Sequence, residues 1–190
     1  MAARSTQDKS IATVGALLHW SYANLASVDA AEKRGLPKRD RLSWMIRAKL
    51  FKGLRNGTMN VGTLFADVLA ASSDRCIYCG TMPPPKLHGD HLIPRYRGGP
   101  ESGDNLVWAC RSCNCSKNAR DLLEWYEWKD EFPPVALMRR YLKLALAEAQ
   151  SLEIMDVALA AKPTVSFSLD HVPSAYPEPG ETRGIKKQEL

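Results

Sequence analysis

The chain has 190 residues, 45% hydrophobic and 25% charged, with a formal net charge of +5. This is ordinary globular composition, enough for one compact domain or a small module with helical additions. No apolar run approaches the roughly 20 residues a membrane span needs, and residues 1–10 are too polar for a signal core, so a cytoplasmic protein without membrane contact is expected. The charge is uneven: residues 1–60 carry eleven Lys or Arg against four acids, and the rest fifteen against seventeen. A basic half points to a polyanionic partner, because cations gain free energy by displacing counterions from phosphates.

Residues 11–31 are predicted helical, with Ile11, Val14, Leu18, Leu25 and Val28 at helical spacing. Gly35 and Pro37 break that helix. A second helix is predicted over 40–55, with Leu42, Ile46, Leu50 and Leu54 as a core stripe. Arg41, Lys52 and Arg55 fall near another face of it, Lys38 just precedes it, and Trp44 and Phe51 flank that face. These cations are candidate phosphate contacts. Residues 58–71 read as a short third helix. Residues 74–118 lose helical periodicity and are rich in Cys, Gly, Pro, His and Arg. Helix resumes over 118–128, where Trp125, Tyr126 and Trp128 read as packing aromatics, and Pro133 and Pro134 stop it. A long helix is predicted over 135–161. Its stripe from Met138 to Leu159 suits covering the N-terminal helices, with a homodimer as the alternative. Four prolines and a charged end make 163–190 a loosely ordered tail with a short strand at 164–169. The expected division is a basic helical region 1–72, a signature module 73–125, a C-terminal helical region 126–162 and the tail 163–190.

Cys76-x-x-Cys79 is followed, thirty residues on, by Cys110-x-x-Cys113. Two residues between thiols let both reach one tetrahedral ion from a tight turn, and Gly80 suits that turn. Four thiolates leave no open coordination position, so the expected ion is a structural zinc. Cys115 is a spare thiol.

Between the cysteine pairs stand His88-Gly89-Asp90-His91-Leu92-Ile93-Pro94, then Gly98-Gly99 and Asn105-Leu106-Val107. Cys110-Arg111-Ser112-Cys113-Asn114-Cys115-Ser116-Lys117 follows. Together these elements resemble the HNH nuclease family over a stretch from Cys76 to about Arg120, roughly a quarter of the chain. The resemblance implies an α+β, mostly helical fold: a small ββα-metal module with structural zinc, flanked by helices. It implies a DNA endonuclease leaving 5′-phosphate and 3′-hydroxyl ends, with Asp90 and Asn114 as ligands of a catalytic ion. Asn114 stands where the family name expects His. It also makes Asn105 the residue that pins the loop orienting His91. The residue types suit this chemistry. An unperturbed imidazole titrates near ~6.5, so neutral His91 can take a proton from water. Oxygen ligands favour Mg²⁺ or Mn²⁺. Lys117, and Arg95 or Arg97, are candidate phosphate contacts. His88 is a rival for the base or a zinc ligand, and Asn118 a rival for Asn114. Three other readings stay open. One is a non-catalytic zinc module binding nucleic acid, which would need the cysteines but not Asp90, His91 and Asn114. Another is a nuclease silent until a protein partner joins it. The third is a packaging or homing nuclease in place of a restriction or anti-phage one, toward which the helical additions lean.

Overall fold

The computed structural model describes residues 11–62, 75–81 and 86–181. Helix α1 (Val14–Glu32) begins at Thr13, whose hydroxyl accepts from the Ala16 amide at 3.2 Å. Val14, Leu18, Leu25 and Val28 are fully buried, and so are the small polar Ser21 and Ser27. A helix buried on nearly every side is a core helix. Here α1 packs against both α2 (Arg41–Arg55) and α5 (Val135–Ser151).

Asp40 caps α2 by accepting from the Ser43 amide at 2.9 Å. The expected core stripe holds only toward its C-terminal end: Leu54 is buried, Ile46 and Leu50 are half-buried, and Leu42 is exposed. The Arg47 guanidinium lies 4.7 Å from the Trp20 ring of α1 and 4.5 Å from the Trp44 ring of α2, so cation–π contacts help dock the two helices. Residues 58–62, expected to open a third helix, are not helical, and 63–71 lie outside the described residues.

Strands β1 (Leu87–His91) and β2 (Leu106–Cys110) form an antiparallel pair in which Gly89 faces Trp108 and His91 faces Leu106. The connection reverses through a single turn at Arg95–Arg97 and the pair Gly98-Gly99. Gly98 has a φ of 93°, and a Cβ on Gly99 would collide with the Ile93 carbonyl, so both positions require glycine. Helix α3 (Arg111–Lys117) follows β2 directly and touches both strands. The single helix expected over 118–128 is corrected. Asn118 takes a positive φ (52°) and stops α3, and Asp121 starts α4 (Leu122–Trp128) through a capping box with Glu124. The Leu122 amide donates to the Leu92 carbonyl at 3.0 Å and ties α4 to the end of β1. Trp125 and Tyr126 are buried as expected, but Trp128 is exposed beneath Arg120.

Helix α5 ends at Ser151, ten residues before the expected boundary, and Glu153 is left-handed (φ 56°). The chain then turns back to satisfy the first amides of α1: Val14 donates to the Val157 carbonyl at 3.0 Å and Gly15 to Met155 at 2.9 Å. Met138, Leu142, Ala145 and Ala149 are buried in the cluster that includes α1, so this stripe is used within the chain. The expected strand at 164–169 is absent, and the tail as far as residue 181 is packed rather than loose. Phe167 and Tyr176 are buried; the Trp20 indole donates to the Ser174 carbonyl at 2.7 Å; Arg39 pairs with Glu178 at 2.9 Å. Among the described residues no helix is long and apolar enough to cross a membrane.

Candidate nuclease and metal site

The four cysteines meet at one point. Four thiolates held about 2.3 Å from a tetrahedral ion lie about 3.8 Å from one another. All four Sγ atoms lie within 4.8 Å of one another, and those of Cys79 and Cys110 are 3.9 Å apart. Two turns present them. The Gly80 amide donates to the Cys76 carbonyl at 2.8 Å, closing the first turn; Cys110 ends β2, and Cys113 lies in the first turn of α3. The Ile77 amide donates to the Trp108 carbonyl at 3.0 Å, fastening the first turn to β2. The Cys113 thiol donating to Cys76 holds Cys76 down to about 4, and the same contact pushes Cys113 well above the ordinary thiol range. The spacing and donor type fit one thiophilic ion, with Cys115 exposed and outside the set. His88 is not part of this cluster.

Directly opposed residues of an antiparallel pair share a face. The pairs Leu87–Cys110, Gly89–Trp108 and His91–Leu106 therefore make one face of the hairpin, and His88–Ala109 and Asp90–Val107 the other. Asp90, Val107 and Ala109 are buried, so the second face is the inner one. His91 is half-buried on the outer face, and His88, the rival base, belongs to the inner face.

The backbone around His91 is held from several directions. The Leu92 amide donates to the Asn105 carbonyl at 3.0 Å. The fully buried Asn105 side chain accepts from the Ile93 amide at 2.9 Å and donates to the Ile93 and Pro100 carbonyls at 2.8 and 3.0 Å. From α5, the buried Arg140 donates to the carbonyls of Gly103, Asp104 and Leu106, fixing the approach to β2. Sequence reading missed Arg140, since nothing local marks an arginine that will be buried against a loop over thirty residues away.

Lys117 is corrected. It is 1% exposed and directed inward, donating to the His91 carbonyl at 2.6 Å and approaching Asp90 at 3.3 Å, so it does not offer its charge to a phosphate. Burial pushes its pKa down against the pull of Asp90. The Tyr78 hydroxyl donates to the same carboxylate at 2.6 Å, and burial keeps that phenol protonated. Tyr78, within the first Cys-x-x-Cys, was not foreseen as a partner of Asp90. Removing the lysine should strand a buried carboxylate. Lys117→Met is expected to cost about 3–5 kcal/mol in urea unfolding, with part regained in Lys117→Met/Asp90→Asn. A loss below about 1 kcal/mol, the range of exposed pairs, would contradict this placement.

Asn114 is half-buried on α3, three residues before Lys117, and so shares the side of α3 that Lys117 turns to β1. A carboxylate and an amide oxygen on facing elements are the donor types of a hard divalent ion. The Lys117 contact with Asp90 is long, which leaves that carboxylate lone pairs for an ion to use. Asp90 and Asn114 thus fit the ion in donor type.

The remaining cations divide. Arg95 is exposed and pairs with exposed Glu101 at 2.9 Å, a weak surface contact. Arg97 is corrected: its guanidinium is engaged by Glu124 and Ser168, facing the packed tail instead of an open phosphate site. Lys38, Arg41, Lys52 and Arg55 are exposed, and exposed Lys49 joins the same region although it was not singled out in sequence. Helix α2 contains no acid.

Neither a curated protein nor a solved structure matches the chain. Residues 76–120, which hold the four cysteines and the hairpin that carries His91, match the family model of HNH endonucleases.

Proposed function

We propose that this chain is a metal-dependent endonuclease that hydrolyses DNA phosphodiester bonds with His91 as general base. The observation carrying the reading is the setting of His91. His91 is the last residue of β1, so although its register sets it on the face opposite Asp90, its ring is free to turn past the strand end toward an ion held by Asp90 and Asn114, while its carbonyl is held by Lys117 and the following peptide by Asn105. A base must be held within hydrogen-bond reach of the water it deprotonates, and a fixed backbone supplies that aim. Neutral His91 takes the proton of the attacking water; Asn105 and Lys117 position it. Asp90 and Asn114 hold the catalytic ion, Mg²⁺ or Mn²⁺, and Cys76, Cys79, Cys110 and Cys113 hold zinc. When bound, the divalent ion supplies charge neutralisation at the non-bridging and leaving oxygens.

Arg95 and the acid-free face of α2, with Lys38, Arg41, Lys49, Lys52 and Arg55, supply phosphate contacts outside the reacting centre. The test is parallel digestion of supercoiled, linear and single-stranded DNA and of RNA by the full chain with Mg²⁺ or Mn²⁺. Cleavage of DNA with RNA spared is expected. Cleavage of RNA alone would overturn the substrate, and cleavage of nothing would overturn the enzyme.

A further inference from the structure

The outer face of the hairpin carries an aromatic side chain that the nuclease reading does not use. β2 alternates, with Val107 and Ala109 buried and Trp108, between them, 42% exposed. Trp108 lies opposite Gly89, which offers no side chain, and diagonal to His91 on the same face. Diagonal neighbours of an antiparallel pair are about 7–8 Å apart, within reach of a large aromatic ring. An indole opposite a strand glycine often serves only to cover it, but here the space over Gly89 is filled by Leu106. A Cβ there would meet Leu106 Cδ1 at 3.0 Å, with two more Leu106 atoms the next nearest. The other tryptophans are engaged: Trp20 with Phe51 and Arg47, Trp44 with Arg39 and Arg47, Trp125 with Tyr78 and Tyr126, and Trp128 with Arg120. Of the tryptophans, Trp108 alone has neither an aromatic nor a cationic ring partner among the described residues. The strand residues on this face include no carboxylate, and the exposed Arg111 begins the helix that follows Trp108.

We propose that Trp108 is a stacking platform for an unstacked DNA base beside the phosphate served by His91. This deepens the nuclease reading and rests on it for the identity of the ligand. A base inside a continuous duplex stack has no free face to give, so the platform favours single-stranded or locally melted DNA. Base–aromatic stacking tolerates any base, because every base has a π-face. Trp108 therefore selects strand state rather than sequence.

The experiment uses the full chain and a short single-stranded DNA oligonucleotide with phosphorothioate linkages that resist cleavage. Binding is read by fluorescence anisotropy, first with the intact strand and then with one abasic site moved through each position. Trp108→Ala is expected to weaken binding of the intact strand about 5- to 150-fold, the range of one lost stack, with Trp108→Phe keeping most of the affinity. An abasic site at one position should weaken the wild type by a similar factor and Trp108→Ala no further. Circular dichroism of both variants checks that the exposed position tolerates the change. Binding by Trp108→Ala within about twofold of wild type, below the effect of one stack, would overturn the proposal. So would an abasic effect equal at all positions, or no binding by the wild type. Cleavage of the unmodified strand is scored separately. A chain that binds with the predicted pattern but never cuts keeps the platform and loses the nuclease reading. One that cuts without dependence on Trp108 keeps the nuclease and loses the platform.

Discussion

Cys113→Ser is expected to release one equivalent of zinc and to abolish the cooperative melting of the HNH-matching segment. Serine matches cysteine in size but supplies no thiolate, so the change tests the ligand and not the packing. Structural zinc contributes an apparent ~10–16 kcal/mol to small zinc modules, whereas a whole domain is stable by only about 5–15 kcal/mol. The hairpin and α3 are small on their own. The sheet has two strands of five residues and α3 has seven, and an isolated two-stranded pair is marginal in water. The cysteines join the first turn, the end of β2 and the start of α3. Losing one ligand therefore loosens three elements at once. Zinc content by mass spectrometry and a thermal melt check this together. Stoichiometric zinc and an unchanged midpoint in Cys113→Ser would remove the four-cysteine site from the account.

The second large effect concerns the chemistry alone. His91→Ala is expected to lower kcat for plasmid cleavage by about 10²–10⁴-fold, the usual worth of a general base. Binding of DNA and zinc should be unaffected. The separation is possible because the His91 side chain faces outward while its backbone carries the structural contacts, the Lys117 bond to its carbonyl and the pairing with Leu106. Alanine keeps both. Full cleavage by His91→Ala would move the role of base elsewhere. His88 is poorly placed to take it, being on the inner face opposite Ala109.

The parts of this molecule legible in sequence are those whose chemistry demands fixed residue types at fixed spacing. Two Cys-x-x-Cys pairs can be read as one ion site because tetrahedral sulfur coordination leaves few other arrangements. The Gly98-Gly99 turn was visible for a similar reason, since Gly98 takes a positive φ and Gly99 has no room for a Cβ. Helix ends were harder. Apolar spacing continues past Ser151 through Leu152 and Leu159, but residues 155–157 are needed at the start of α1, to accept from Val14 and Gly15. Only the folded chain reveals that competition. The break before α4 was readable in principle, because Asp121 and Glu124 spell a capping box that the periodicity of 118–128 hid.

Charge misled in a different way. Lys117 and Arg97 look like phosphate ligands because cations are mostly solvated. Their partners Asp90 and Glu124 are 27 residues away in each case, and no local pattern announces such pairs. The tail erred for the opposite reason. Its four prolines suggested looseness, yet Phe167 and Tyr176 find the core and Glu178 finds Arg39. Trp108 was hidden in plain alternation, as an outward position between two buried ones.

The account depends on an imidazole and a divalent ion acting on one phosphate. The most direct measurement is the rate of plasmid cleavage by the zinc-loaded full chain as Mg²⁺ or Mn²⁺ is titrated from zero. The account predicts no cleavage without added ion, a saturable rise with it, and loss of that rise in Asn114→Ala with zinc still bound. Cleavage that is indifferent to added ion, or that rises identically in Asn114→Ala, would contradict it.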